Sequence, residues 1–320
     1  MARWPVSADR PAYRPGSADE LAALVRDAHD SRTPLRIAGR GGWLAAGGPV
    51  RTDAARLDVA LLAGIVEYVP GDLTLTARAG TTLAELDATT ARHGQWCPLL
   101  PFGDDDATLG AVFATASAGP FTRSLGAPRD LALGLEFVDG TGRVARGGGR
   151  VVKNVAGFDL TRLLVGSWGT LGVITEVTVR LRARPRVDET WALALDPADA
   201  AASRALDALD ALERGPLAPL AIARLSERAC AALALPHDRR VLARLGGNAS
   251  FVAAARAALR ALGDAERSDA AIWSRVRALG GDDPAPSPRN ALADPVSQRI
   301  KRLSDPGHIL NPGILGEPLS

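Results

Sequence analysis

The sequence predicts an α+β fold in two parts, on three observations. Helix-capping pairs followed by apolar residues at helical spacing recur between short strands whose side chains alternate in character. The composition changes at Arg184-Pro185-Arg186, beyond which the chain is Ala-rich. And 320 residues exceed what one hydrophobic core usually organises.

In chain order, Ser17 and Glu20 form a capping box ahead of Leu21, Leu24, Val25 and Ala28, predicting a helix to about His29 that Pro34 ends. A strand at 35–38 runs into Gly39-Arg40-Gly41-Gly42. After an apolar stretch at 56–59, segments 65–69 and 73–77 read as strands separated by a Pro70-Gly71 turn. Thr82 and Glu85 cap a second helix, closed by Gly94. A loop at 98–106 leads to a small-residue helix at 108–116, which Gly119-Pro120 breaks. Strands at 131–138 and 143–146 flank Asp139-Gly140 as a hairpin, and a Gly-rich loop follows at 147–149. Asp159 caps a short helix through Leu164. The turn at 166–172 then enters a strand with Val173, Thr175, Val177, Val179 and Leu181 on one face.

Beyond Arg186 the pattern gives a strand (191–195), a helix (199–213), two strands (220–225 and 239–245) and a helix (250–262). This is a βαββα layer with an open finish. The expected division is a first domain at 1–186, a smaller one at 187–280, a Pro-rich linker at 281–295, and a segment at 296–320 that packs back on the first domain. Asp305-Pro306-Gly307 and Asn311-Pro312-Gly313 make that last segment too turn-rich for a free tail.

The 38 basic and 36 acidic residues leave +2, too little for binding nucleic acid through counterion release. Of the basic residues only Lys153 and Lys301 are lysines. No apolar signal segment precedes Asp9, and the uncharged stretch at 107–122 is short of a membrane span, so a cytoplasmic protein without a direct span is expected. Cys97 and Cys230 stand alone, far from any metal-ligand spacing. The four histidines, His29, His93, His237 and His308, form no metal or catalytic pair. Asp104-Asp105-Asp106 could hold a hard cation, but such a run more often caps a following helix. No metal is expected.

Gly140-x-Gly142-x-x-Ala145 matches a dinucleotide fingerprint as a string, yet a short strand follows where the fingerprint needs a helix. The stronger signal is a set of Gly-rich turns at strand ends: Gly39, Arg40, Gly41 and Gly42; Thr108, Leu109 and Gly110; Ser117 and Gly119; and Gly166 through Gly172. Such turns aim successive backbone N–H groups into a concavity suited to phosphate oxygens, and the absent Cβ atoms let a ligand approach the main chain. Four in one domain suggest a long phosphate-bearing cofactor.

Val151-Val152-Lys153-Asn154-Val155-Ala156-Gly157-Phe158-Asp159-Leu160, with Gly166-Ser167-Trp168-Gly169-Thr170-Leu171-Gly172-Val173-Ile174-Thr175-Glu176, resembles the FAD-binding subunit of bacterial glycolate oxidases. Gly64-Ile65-Val66-Glu67-Tyr68-Val69-Pro70, Ala79-Gly80-Thr81-Thr82-Leu83-Ala84-Glu85-Leu86 and Asp305-Pro306-Gly307-His308-Ile309-Leu310-Asn311-Pro312-Gly313 fit the same subunit. The wider group is similar to vanillyl-alcohol oxidase in its flavin domain. The resemblance implies a two-subdomain PCMH-type FAD-binding domain followed by a smaller, curtailed cap domain.

By matching position it implies that Gly39, Arg40, Gly41 and Gly42 hold the cofactor's pyrophosphate. Thr108, Leu109, Gly110, Ser117 and Gly119 continue along the diphosphate and ribityl chain. Gly169, Thr170, Gly172, Val173 and Ile174 line the adenosine half, and Asn311 closes over the flavin. Phe158, Trp168 and Gly110-Ala111 depart from the usual pattern of that subunit. The FAD is expected to be non-covalent, since the pyrophosphate loop has no His. The implied function is that of an FAD-binding accessory subunit of a glycolate oxidase, with a catalytic FAD subunit and an iron-sulfur subunit as partners. Through that complex the chain would sit peripheral to the inner membrane. A stand-alone FAD-dependent 2-hydroxy acid dehydrogenase and a non-catalytic stabilising subunit are the alternatives. No catalytic residue is assigned, and Lys153 is a candidate for tuning the flavin.

Overall fold

The computed structural model describes residues 12–44, 47–48, 50–51, 53–103, 106–149, 159–194, 200–236, 241–279 and 295–316. Asp104, Asp105, Lys153 and His237 lie outside the described residues, as does the segment expected to be a linker apart from Pro295.

The described residues begin with β1 (Ala12–Tyr13) and α1 (Ala18–Ser31). Ser17 Oγ accepts the Glu20 N–H at 3.1 Å, while Glu20 Oε2 reaches one residue further back than a capping box requires and accepts from Gly16 N at 2.7 Å. Leu21, Ala22, Val25 and Ala28 make the buried stripe. They pack on β2 (Leu35–Ala38) and β3 (Ala55–Asp58), which with β1 form a parallel sheet of order β1-β3-β2.

β4 (Ile65–Val69) and β5 (Thr74–Arg78) follow as the expected pair, joined by a 3-10 turn at Pro70–Asp72. α2 (Leu83–Ala91) carries the full capping box: Thr82 Oγ1 accepts from Glu85 N, and Glu85 Oε2 accepts from Thr82 N. Then come β6 (Gln95–Trp96), α3 (Leu109–Thr115), α4 (Thr122–Leu125), α5 (Pro128–Leu131), β7 (Ala132–Val138), β8 (Val144–Gly148), α6 (Leu160–Leu164), β9 (Val173–Arg180) and β10 (Arg182–Ala183). The antiparallel sheet β4-β5-β9-β7-β8 buries Leu75, Ala77, Leu135, Phe137, Val177 and Val179 against Leu86, Leu109, Phe113 and Leu164 of the helices. Val138 and Val173 join the first core instead, so the two sheets share a seam at the start of β9.

Past β10 lie β11 (Val187–Leu193), α7 (Ala200–Arg214), β12 (Ala221–Arg224), α8 (Glu227–Ala232), β13 (Val241–Gly247), α9 (Ala249–Arg260), β14 (Ala265–Ser268), α10 (Ile272–Ala278) and α11 (Pro295–Ser304). The sheet order is β12-β13-β11-β14. It is longer than the βαββα run expected from sequence. β14 pairs with the side of β11 that would otherwise be open, and α8 and α10 cover the second face. Trp191, Leu193, Val241 and Leu245 pack under α7 and α9, while Ala192 and Leu242 face Trp273, Cys230 and also Trp96 and Phe121 from the first part of the chain. Two faces are buried, so alternation is weak in β11 and β13.

The C-terminal segment returns to the first sheet as expected. Leu35 N donates to Ile309 O at 2.7 Å and Asn311 N to Leu35 O at 2.9 Å, a parallel bridge along the free edge of β2. Lys301 and Asp305 hold the segment from inside. Lys301 Nζ donates to Asp305 Oδ2 at 2.5 Å and to the carbonyl of Thr170 at 2.8 Å, and Asp305 also accepts from the N–H groups of Ile309 and Leu310. Both side chains are buried, Lys301 at 3% and Asp305 at 0% exposure. This is the arrangement in which a buried charge pair is tolerated: every remaining donor or acceptor has a partner.

Candidate functional site

A cavity of about 390 Å³ opens at the carboxyl end of β2, between the two sheets. This is where ligands bind parallel α/β sheets in general, because strand ends there leave turns with unsatisfied N–H groups. Gly39, Arg40, Gly41 and Gly42 form one wall, Thr108, Gly110, Ala111, Ala114 and Thr115 a second, and Trp168, Gly169, Gly172, Val173, Ile174 and Asn311 a third.

Gly41 has φ +88, a conformation that L side chains rarely adopt. Gly39 backs onto Thr108, whose Oγ1 lies 2.4 Å from where a Cβ on Gly39 would stand. Beyond Gly42 there is nothing within 4 Å of such an atom, so the loop faces open space. Thr108 Oγ1 itself is buried without a partner among the described residues. A buried hydroxyl left unsatisfied at the edge of a cavity marks a place for a ligand atom.

Asn311 is the hinge of the third wall. Its Oδ1 accepts the Ile37 N–H at 2.8 Å, its Nδ2 donates to Trp168 O at 2.8 Å, and it has φ +44. Trp168 is left-handed as well, at φ +55. For a bulky residue this is strained, and the chain holds it from two sides, through Asn311 and through the Trp168 N–H to Ala114 O at 2.8 Å. Asn311 therefore lines the cavity, with its amide committed to bracing β2 against the 166–172 turn.

Most sequence-predicted site residues come together here. Leu109, Ser117, Gly119 and Thr170 do not line the cavity. Leu109 is buried in the core beneath α3, Gly119 is set against the Leu100 carbonyl, and the Thr170 hydroxyl donates to Ser167 O at 2.7 Å. Ser117 is fully buried, its hydroxyl unpaired among the described residues. Sequence reasoning missed Arg36, Trp43, Leu44, Gly103 and Ile314, which also line the cavity. The available signal was Arg36, a lone charge inside the apolar run Leu35 to Ala38. Gly103 is placed from the second layer, since its N–H donates to Arg277 O of α10 at 3.0 Å while Arg277 Nε donates to Pro101 O at 2.7 Å.

Cys97 is buried in the second core, and burial, helped by Asp87, pushes its thiol up to about 12. Among the described residues no three His, Cys, Asp or Glu side chains gather as a metal set, and no helix is long and apolar enough to cross a membrane.

The fold and the cavity define a domain with a Gly-rich loop and two further walls around one cleft. Residues 11–148 match the model of the FAD binding domain family. Among curated relatives, the chain is 42% identical over 168 residues to glycolate oxidase subunit GlcE of Escherichia coli, covering 52% of this chain and 47% of that one. It is 35% identical over 168 residues to D-lactate dehydrogenase of Archaeoglobus fulgidus, covering 52% and 38%. It is 32% identical over 188 residues to glycolate oxidase subunit GlcD of Bacillus subtilis, covering 59% and 40%. The chain thus spans less than half the length of these relatives. In fold it is similar to an alkyldihydroxyacetonephosphate synthase, with TM-score 0.64 and 21% identity over 82% of this chain and 53% of that one.

Proposed function

We propose that this chain is the FAD-carrying accessory subunit of a glycolate oxidase complex. Its partners are a larger catalytic FAD subunit and an iron-sulfur subunit, and the complex sits at the cytoplasmic side of a membrane. The net reaction is glycolate to glyoxylate, with electrons leaving to a membrane acceptor. The observation that carries this reading is the 42% identity to a glycolate oxidase subunit in a chain whose Gly-rich walls meet around one cavity.

The described residues fit FAD. Gly39, Gly41 and Gly42 present main chain to a diphosphate, Thr108 offers an unpaired hydroxyl, and Gly169, Gly172, Val173 and Ile174 leave a wall that the rings of a dinucleotide can pack against. When bound, FAD supplies acceptance of the two electrons of hydroxy-acid oxidation, and the protein's part is to bind and orient it. Oxidising a 2-hydroxy acid further requires a cation for the carboxylate and a base for the hydroxyl. Among the described residues the ionisable side chains of the cavity are Arg36, Arg40 and Asp106, and Asp106 is paired with Arg40 at 3.4 Å. That set supports a subunit that holds flavin for a partner.

A stand-alone FAD-dependent 2-hydroxy acid dehydrogenase is the second reading, favoured by the likeness to a D-lactate dehydrogenase. One experiment separates the two. The chain is isolated with whatever accompanies it, flavin and iron are counted, and glycolate- and lactate-dependent reduction of a dye is measured for the assembly and for the single chain. Turnover by the assembly alone supports the accessory subunit. Turnover by the pure single chain supports the second reading.

A further inference from the structure

We propose that Arg36 and Arg56 form a cationic pair that neutralises the diphosphate of the bound dinucleotide, Arg36 from the cavity wall and Arg56 from beneath the Gly-rich loop. The inference rests on the FAD reading and adds two residues to it.

The parallel register of β2 and β3 sets Arg36 directly against Arg56. Like charges facing each other across a strand pair destabilise a sheet. Neither side chain here is free in water. Arg36 is partly buried and lines the cavity, and Arg56 Nε is buried without a partner among the described residues. Arg56 Nη2 lies 3.6 Å from the point a Cβ on Gly41 would occupy, directly under the loop. Burial, and then the neighbouring Arg56, lower the Arg36 pKa.

The nearby carboxylates do not balance these charges. Asp58 is shared between Arg56 Nη2 at 3.3 Å and Arg14 Nε at 3.8 Å, and Asp106 is paired with Arg40. Among the described residues around the loop, four guanidinium groups (Arg14, Arg36, Arg40, Arg56) face three carboxylates (Asp58, Asp106 and Glu85, which lies within the field of Arg40), an excess of one positive charge. The diphosphate bridge of a dinucleotide carries two negative charges at neutral pH. Such an anion at the loop converts a repulsive pair into an attractive trio. Arg36 also donates through Nη2 to the Leu44 carbonyl, which ties down the far end of the loop and leaves the other N–H groups of its fork for the ligand.

The test titrates the flavin-free full chain with FAD and with riboflavin, which has the rings but no phosphate. It uses wild type, Arg36→Gln and Arg56→Gln at low and high ionic strength, and records thermal unfolding of each flavin-free protein. Glutamine removes the charge and keeps a polar amide on a shorter side chain, so the riboflavin titration and the unfolding temperature report any cost of losing the bond to Leu44. The expected result is an FAD affinity about 10- to 100-fold lower in Arg36→Gln, the worth of a charge-assisted contact. Riboflavin affinity stays unchanged, the salt dependence of FAD binding weakens, and the flavin-free variant unfolds at no lower temperature than wild type. Equal FAD affinity in variant and wild type overturns the inference. So does a parallel loss of FAD and riboflavin with a lowered unfolding temperature, which would make Arg36 only a staple for Leu44. A wild type that binds neither ligand overturns the FAD reading itself and this inference with it.

Discussion

At Gly41 the backbone conformation and the ligand path make the same demand. A valine there must hold a β-branched side chain at φ +88 and press on Leu44 Cδ1, 3.2 Å from the new Cβ. Gly41→Val is expected to lower bound flavin about tenfold or more, read as flavin absorbance per protein after purification. Asp305 makes a different case, since it does not line the cavity. Asp305→Ala leaves the Lys301 ammonium buried and unpaired, a loss of about 3–5 kcal/mol in denaturant unfolding. Replacing both, Lys301→Met with Asp305→Leu, should recover part of that loss, because the desolvated charge goes with its partner. A single variant as stable as wild type would show that water reaches the pair.

Among the elements, α2 shows how far local chemistry carries. Thr82 and Glu85 announce its start in the sequence, and the structure forms both reciprocal bonds. The same cap touches the cavity wall, since Leu83 N donates to Ala107 O and Leu109 N to Thr81 O. Thr82→Ala should cost about 1 kcal/mol by thermal or chemical unfolding. The bonds from the Thr82 N–H and hydroxyl hold the Glu85 carboxyl below its ordinary value. Its contribution is therefore complete above the normal carboxyl range and disappears as the pH falls through the lowered value. A Glu85→Gln variant should accordingly show a smaller drop in stability between neutral and acid pH than wild type. Elements with such signatures were legible: α1, α2, α3, α6 and the strands of the five-stranded sheet. β14 was not, because Ala265-Glu266-Arg267-Ser268 has one apolar residue and its pairing is decided by β11. Nor were α8 and α10, seven residues long or shorter, which form by covering a sheet face. In the site, the glycine turns were legible singly and Arg36 was not, since its meaning depends on a strand register that no local pattern announces.

For the molecule as a whole, the expectation that the second layer has an open finish after its βαββα run needs revision. β14 covers β11, and its exposed Glu266 and Arg267 place charges on the outer edge, which disfavours edge-to-edge association. Flavin retention is also a property of the whole fold. The cavity walls come from segments distant in sequence, and Cys97 is buried as a neutral thiol in the core. The non-covalent attachment expected from a loop without His predicts that acid precipitation leaves yellow FAD in the supernatant and a colourless pellet; flavin absorbance that survives washing of the pellet would contradict this.

The parallel bridge along β2 has a bearing on time. Ile37 and its partner Asn311 are 274 positions apart. At about 5–20 residues per second, a ribosome needs roughly 14–55 seconds to make the second after the first. Throughout that interval the edge of β2 has nothing to pair with, and closing so long a loop is slow in refolding as well. The Gly-rich loop that follows β2 is thus made long before Asn311, and the wall that Asn311 contributes to the cavity is completed only when that residue arrives.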